Sequence, residues 1–301
     1  MIPLFDCHCD TISRVMTEGG GLRKNGFHTD LERLHKFTPC AQVFAVCAET
    51  LDRPVEKADA MLRRLSQEIE ENSDIVTLCL NFHDIKKAAE SGKVAVFISI
   101  EGCEQISSLE SAYQDGVRVL HPTWNFDNEL CGAAAGSGKG LTEKGRAFVK
   151  KAQHMGFALD MSHISERGFW DTLEACEKPV IAGHSNAKAL CNVPRNLTDE
   201  QFNALVLIGG GAGINLYPEF LGLGKDINAV IAHIEHFLSL GGERSVFLGC
   251  DFDGIDSTPT GLDGVQKLDK LYNELLNRNY PEALVRALFW DNLYDIMEKT
   301  L

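Results

Sequence analysis

Short runs of apolar residues alternate with longer stretches of mixed polarity along the whole chain. The runs fall at residues 2–5, 41–47, 94–100, 117–120, 157–161, 180–182, 212–215 and 246–249, and they are rich in Val, Ile, Phe and Ala. Several are continuously apolar, the pattern of strands covered on both faces. Between them the apolar positions take a helical period. Over 56–71, Ala58, Met61, Leu62, Leu65 and Ile69 form one stripe among mostly charged residues. Ile227, Val230, Ile231, Ile234, Phe237 and Leu238 repeat that pattern over 226–240, and Gly241-Gly242 supplies a stop. Thr198 followed by Gln201 reads as a capping box opening a helix over 199–207. Residues 262–276 and 281–299 are further helical stretches.

Strand alternating with helix eight times predicts an α/β chain with eight parallel strands. Its simplest closure is a (β/α)8 TIM barrel, a single domain over residues 1–301. A doubly wound open sheet is the alternative, but it usually has fewer strands and a Gly-rich phosphate loop after the first. Here the first run leads into DCHCD. The Gly19-Gly20-Gly21 cluster comes later, lacks a following Lys-Ser/Thr, and reads as a flexible loop.

Composition (44% hydrophobic, 24% charged) is that of an ordinary globular protein. The net charge of −14 repels phosphate backbones and anionic lipid, so no nucleic acid or membrane partner is expected. No apolar run approaches the ~20 residues of a spanning helix, and the N-terminus lacks a signal-peptide pattern. A cytoplasmic protein is therefore expected. Most of the ten cysteines lie in apolar runs and read as small buried hydrophobes. Cys7 and Cys9 flank His8, but their C-x-C spacing is not the C-x2-C of structural zinc sites, so they too read as packing.

The chemistry gathers at the ends of the predicted strands. His8 and Asp10, Glu101, His121, His163, His184 and Asp251 follow six different strands on their C-terminal side. That is the face where barrel enzymes place their active sites. Imidazole and carboxylate without thiolate suit Zn2+ or a similar first-row divalent ion. His8 and Asp10 stand two apart, so in a regular strand both face one side and can grip one ion. His163 and His184 can hold a second, and Glu101 can bridge the two. The remaining histidines read as incidental. His233 and His236 are expected to be solvated on the 226–240 helix, and His28, His35, His83 and His154 sit in loops or helix ends. Asp253 and Asp256 read as turn residues, with Asp253 able to support the site.

In this order the motifs resemble the membrane (renal) dipeptidases, dinuclear-zinc peptidases of the amidohydrolase-like barrels. The blocks are D-x-H-x-D at 6–10, S-x-E-G at 99–102, L-x-x-x-W-N at 120–125, G-L-T-x-x-G at 140–145 and LDMSHIS at 159–165. H-S-N-A at 184–187, P-R-N at 194–196 and G-x-D-F-D-G at 249–254 complete the series. The resemblance implies two Zn2+ ions, one held by His8 and Asp10, the other by His163 and His184, with Glu101 between them. It implies that His121 binds substrate, that Arg195 holds a substrate carboxylate, that Asp251 is the catalytic acid/base, and that Tyr217 lines the site. The implied reaction is hydrolysis of free dipeptides, L-D dipeptides included, by a homodimer. Three departures stand out. Cys9 replaces the Asn of many relatives, the WDNLYDIME segment differs at Trp290 and Asp295, and the secretion signal and lipid anchor of animal relatives are not found. A different dinuclear hydrolase, acting on a lactone, cyclic amide or phosphoester, would often bridge its metals with a carbamylated lysine, and no Lys stands at a strand end. A non-catalytic metal-stabilised binding protein is disfavoured by the complete ligand set.

Overall fold

A computed structural model describes residues 1–222 and 224–301. Its strands are β1 (Leu4–Cys9), β2 (Cys40–Val46), β3 (Val76–Leu78), β4 (Val94–Glu101), β5 (Val117–His121), β6 (Ala158–Leu159), β7 (Ile181–Ala182), β8 (Gly211–Ile214) and β9 (Val246–Leu248). All pair in parallel in the order β6-β5-β4-β2-β1-β9-β8-β7. Between the two ends of that path, Asp160 bridges Ile181 and Met161 N–H donates to the Ile181 carbonyl at 2.7 Å. Eight parallel strands thus form a nearly closed barrel, as the alternating pattern predicts.

Three differences from the expected strands carry physical content. First, β3 lies outside the expected set. It pairs with Val94–Val96 of β4, while β5 pairs with Ile98–Glu101 on the same edge, so the two strands share one neighbour end to end. Second, β1 runs on to Cys9, which places His8 inside the strand instead of after it. Third, β6 and β7 are only two residues long. The backbone just beyond them is satisfied by a side chain instead of a ladder, since Asp160 Oδ1 accepts from the N–H groups of Ser162 and Gly183, each at 2.9 Å.

The strands face two ways. Leu4, Val94, Val96, Ile98, Ile100 and Leu120 pack outward against the helices. Phe5, Cys7, Ala41, Val43, Ala95, Phe97, Val119 and Phe247 fill the axis. Glycines line the axis on β8 and just past the ends of β7 and β9. A Cβ on Gly213 or Gly249 would lie 1.9 or 1.7 Å from the Gly183 carbonyl oxygen, so the backbones themselves fill the space. The C-terminal helical stretch closes the lower end. Its Trp290 lies 5.6 Å from Phe5 and 5.7 Å from Tyr294 between ring centres, and Asn292 Nδ2 donates to the carbonyls of Glu243 and Val246. The departure at Trp290 therefore supplies the plug.

The expected helices are present with shifted ends. The stripe predicted for 56–71 belongs to the helix Pro54–Glu71, and 226–240 to Ile227–Ser239, where Asp226 caps the N–H groups of Asn228 and Ala229. Thr198 and Gln201 form the reciprocal capping box of Asp199–Leu207. The helix expected from 262 begins only at Leu268. The stretch expected over 281–299 runs from Glu282 to Thr300 through a widened turn at Ala287–Asp291, which carries Trp290. Among the described residues, no helix is long and apolar enough to cross a membrane.

Candidate active site

At the upper ends of the strands the inward positions turn polar. On β4 the alternation that points Ala95 and Phe97 inward carries on to Ser99 and Glu101. On β1 it does not. Between Asp6 and Cys9 the strand advances three residues while β2 advances two, a one-residue bulge. The bulge changes the parity, so Phe5 and Cys7 below it and His8 and Asp10 above it all face the axis. Cys9 is thereby turned outward into the packed helix layer, in agreement with its reading as packing.

The five expected ligands converge. Glu101 Oε1 lies 2.8 Å from His163 Nε2, 3.3 Å from His184 Nε2 and 3.7 Å from His8 Nε2. His163 and His184 present their Nε2 atoms to each other at 3.0 Å, and His8 Nε2 is 3.1 Å from Asp10 Oδ2. His163 Nδ1 donates to Asn125 Oδ1 at 3.0 Å, which leaves Nε2 as the bare nitrogen facing the cluster. All five residues are buried.

The electrostatics of the cluster call for positive charge. Burial alone would lower His8, but the carboxylates of Glu101, Asp10 and Asp251 outweigh it and raise its pKa to about 10. Burial, with Arg195 and His8 close by, pushes His163 and His184 well below the usual range, so both are neutral imidazoles able to ligate. Glu101 Oε1 and Asp10 Oδ1 are buried in the cluster without a hydrogen-bond partner; the Nδ1 atoms of His8 and His184, on the other side of rings whose Nε2 atoms face the cluster, also lack one. Buried polar atoms left in this way are costly. A donor set of imidazole and carboxylate around such atoms fits a divalent cation, and among the described residues His8, Glu101 and His184 have ligand atoms within 4.8 Å of one another, as do His8, Asp10 and Asp251.

Asp251 stands beside the cluster, its Oδ1 3.9 Å from His8 Nε2 and its Oδ2 accepting from Asn215 Nδ2 at 2.8 Å. Burial, together with Asp10 and Glu101, raises it to about 7 against the opposing pull of His8. Asp251 and Asp253 both take left-handed backbone, with φ +60° and +70°. Asp253 fastens this turn to the first helix and its following loop, accepting from Thr11 Oγ1 at 2.6 Å and from the N–H groups of His28 and Thr29. Gly254 completes it, since a Cβ there would lie 2.2 Å from Asp10 Oδ2 and 2.6 Å from Asp251 Oδ1.

A cavity of about 160 Å³ opens onto the cluster, walled by Asp10, Glu101, His163 and Asp251 on one side and Trp124, Arg195, Tyr217 and Phe220 on the other. Arg195 is buried, with Nη1 donating to the Ser162 carbonyl, Nη2 3.1 Å from His163 Nε2, and the guanidinium 5.6 Å from the Phe220 ring centre. Tyr217 packs edge-on to Phe220, and its N–H donates to Asn215 Oδ1. His121 packs against the cluster, its ring centre 5.4 Å from that of His8 and 5.6 Å from that of His184. It is fully buried and keeps both ring nitrogens without a hydrogen-bond partner, with Nε2 3.6 Å from Asp160 Oδ2.

His233 is buried, not solvated. Its Nδ1 accepts from Ala187 N–H at 3.1 Å and its Nε2 donates to the Leu221 carbonyl at 3.2 Å, pinning the loop after His184. Its spacing from Val230 and Phe237 continues the apolar stripe, a signal present in the sequence. His236 is half-exposed and meets Asp199 at 2.8 Å. Asp160, Asn125 and Asn215, which orient the cluster, escaped the sequence reading, because short polar residues in loops look alike until their partners are known.

Residues 1–300 match the family described as Membrane dipeptidase (Peptidase family M19). A Klebsiella pneumoniae protein, described as an uncharacterized protein in the pqqA 5′ region, is 33% identical over 262 residues, 81% of this chain and 96% of its own length. A Rhodobacter sphaeroides metallo peptidase liganded with a phosphinate mimic of the dipeptide L-Ala-D-Ala superposes with TM-score 0.91 at 27% identity, over 100% of this chain and 99% of its own. The dipeptidase AC, also a metallo peptidase, does so with TM-score 0.91 at 26% identity, over 99% of each chain. The chain belongs to the membrane dipeptidase family, peptidase family M19, and is a metal-dependent peptide-bond hydrolase.

Proposed function

We propose that residues 1–301 act as one hydrolase domain that cleaves free dipeptides, L-D dipeptides included, with two Zn2+ ions held by His8, Asp10, Glu101, His163 and His184. The observation that carries this reading is the convergence of three imidazole nitrogens on one unpartnered oxygen of Glu101, at 2.8, 3.3 and 3.7 Å. Zinc in such a pair supplies Lewis acidity and a water acidic enough to serve as nucleophile near neutral pH. The chain supplies the rest.

Asp251 accepts the proton of the attacking water and returns it to the leaving amine, a task for which a carboxyl poised near neutrality is suited. Asn215 holds its Oδ2, leaving Oδ1 for the reaction. His121 donates a hydrogen bond to the scissile carbonyl oxygen as charge develops on it, which the lack of any protein partner on its ring nitrogens supports. Arg195 holds the substrate's terminal carboxylate in a bidentate pair that Lys could not reproduce, with Tyr217 as part of the same wall. The phosphinate mimic of L-Ala-D-Ala bound by the Rhodobacter sphaeroides relative supports acceptance of a D-residue at the second position.

A cytoplasmic setting is supported by ten free cysteines. The homodimer rests on the family resemblance alone, and light scattering tests it. The central test is Asp251→Asn in zinc-loaded protein. Metal content by elemental analysis should stay at the wild-type value while turnover of an L-L and an L-D dipeptide falls about 10²- to 10⁴-fold. Unchanged turnover would remove Asp251 from its role.

A further inference from the structure

Beside the catalytic cavity lies a second one, of about 380 Å³, between the helices Thr11–Glu18 and Pro54–Glu71. Its walls include Met16, Thr17, Ala48, Ala60 and Met61. One residue, Glu49, walls both cavities. It sits just past β2 in left-handed backbone, φ +52°, a conformation that costs a non-glycine residue of order 1 kcal/mol.

The charges around this junction are unevenly settled. Arg14 pairs with Glu18 at 2.5 Å and lies over the Phe27 ring, and Lys57 faces Asp52 at 3.5 Å. Asp253 is saturated by Thr11, His28 and Thr29. Asp10 and Glu101 belong to the ligand cluster. Glu49 has none of these engagements, and the charges that act on its carboxyl are all carboxylates, those of Asp10, Glu101 and Asp256. The same small cavity holds one guanidinium, Arg195, on its wall. A chamber with one cation and one uncommitted carboxylate is complementary to a molecule carrying both charges.

We propose that the substrate's N-terminal residue is seated at this junction, its α-ammonium on Glu49 and its side chain in the second cavity. Arg195 and Glu49 then recognise the two termini, and the reach between them measures the length of a dipeptide. The apolar lining of Met16, Ala60 and Met61 favours long, flexible first residues over glycine. This inference rests on the dipeptidase reading.

Steady-state kinetics of the zinc-loaded full chain on Gly-Gly and Met-Gly test it. Glu49→Gln should raise KM for both dipeptides about 10- to 100-fold, the value of a charge-assisted hydrogen bond, with kcat little changed. Ala60→Phe, which fills the second cavity, should lower the kcat/KM ratio of Met-Gly to Gly-Gly about tenfold, a typical cost of excluding a buried apolar side chain. Unaltered KM in Glu49→Gln, or an unaltered ratio in Ala60→Phe, overturns the corresponding half of the seat while wild-type hydrolysis leaves the dipeptidase reading standing. Failure of the zinc-loaded wild type to cleave either peptide removes both together.

Discussion

At the lower end of the barrel axis stand Phe5, Phe97, Phe247 and Trp290; at the upper end, three or four residues further along three of the same strands or just beyond them, stand His8, Glu101 and Asp251. The lower end satisfies itself. Phe5 and Phe97 lie 6.0 Å apart in stacked planes, Trp290 closes over them, and nothing in that layer needs a ligand. The upper end does not satisfy itself, for it buries carboxylate and imidazole atoms without partners. The contrast separates two functions on one scaffold: apolar packing below holds the strands in register, and that rigidity keeps the costly polar cluster together until cations complete it.

Substitutions at the two ends should therefore fail in different ways. Glu101→Gln keeps the shape but removes the charge on which three histidines converge. We expect activity to fall more than about 10³-fold, with zinc content reduced and the melting temperature of the metal-free protein little changed. Zinc content and activity at wild-type levels would erase the distinction. Trp290→Ala is its mirror. Opening a cavity beneath Phe5 should cost about 3–5 kcal/mol in denaturant unfolding, while the folded fraction binds zinc in wild-type amount. Loss of metal without loss of stability there would show that the plug shapes the site directly.

Arg195→Ala sharpens the upper end. It should lower kcat/KM about 10- to 100-fold for dipeptides with a free carboxylate and much less for their amides. Equal loss on both would count against carboxylate recognition. The smallest effect concerns His233, at neither end. Burial holds its pKa near 4 in the fold against 6.5 for the free side chain. The unfolded chain therefore takes up a proton between those values while the fold does not. Its contribution to stability is full above about 6.5 and is lost as the pH falls towards 4. His233→Gln retains a donor and an acceptor but cannot titrate, so its unfolding free energy should fall less steeply across that interval. An unchanged slope would assign the acid sensitivity elsewhere.

Legibility followed the length and regularity of the signal. Long stripes such as Ala58 to Ile69 and the capping box at Thr198 and Gln201 were readable within a residue or two, because local spacing alone produces them. β3 was not, since three residues between two helices carry no period. His8 and Asp10 were rightly expected on one side of their strand. The spacing of two does not reveal the bulge beneath them, without which their inner face would have been that of Leu4 and not of Phe5. His121 shows the opposite limit: its place at a strand end was legible, its packing against His8 and His184 beside Asp160 was not.

Chain order and residue chemistry suffice for the alternation of strands and helices, for the end of the barrel that carries the polar groups, and for their suitability as metal ligands. Those properties depend on local period and side-chain type, which need no neighbour to be read. The meeting of Glu101 with three histidines, the role of Asn125, Asn215 and Asp160 in aiming them, and the joining of two cavities at Glu49 arise only when strands distant in sequence close into a ring. Distances of 2.8 to 3.7 Å between Glu101 and histidines many tens of residues away in the chain are set by the bulge, the glycine contacts and the closure of the barrel, and no local pattern encodes them.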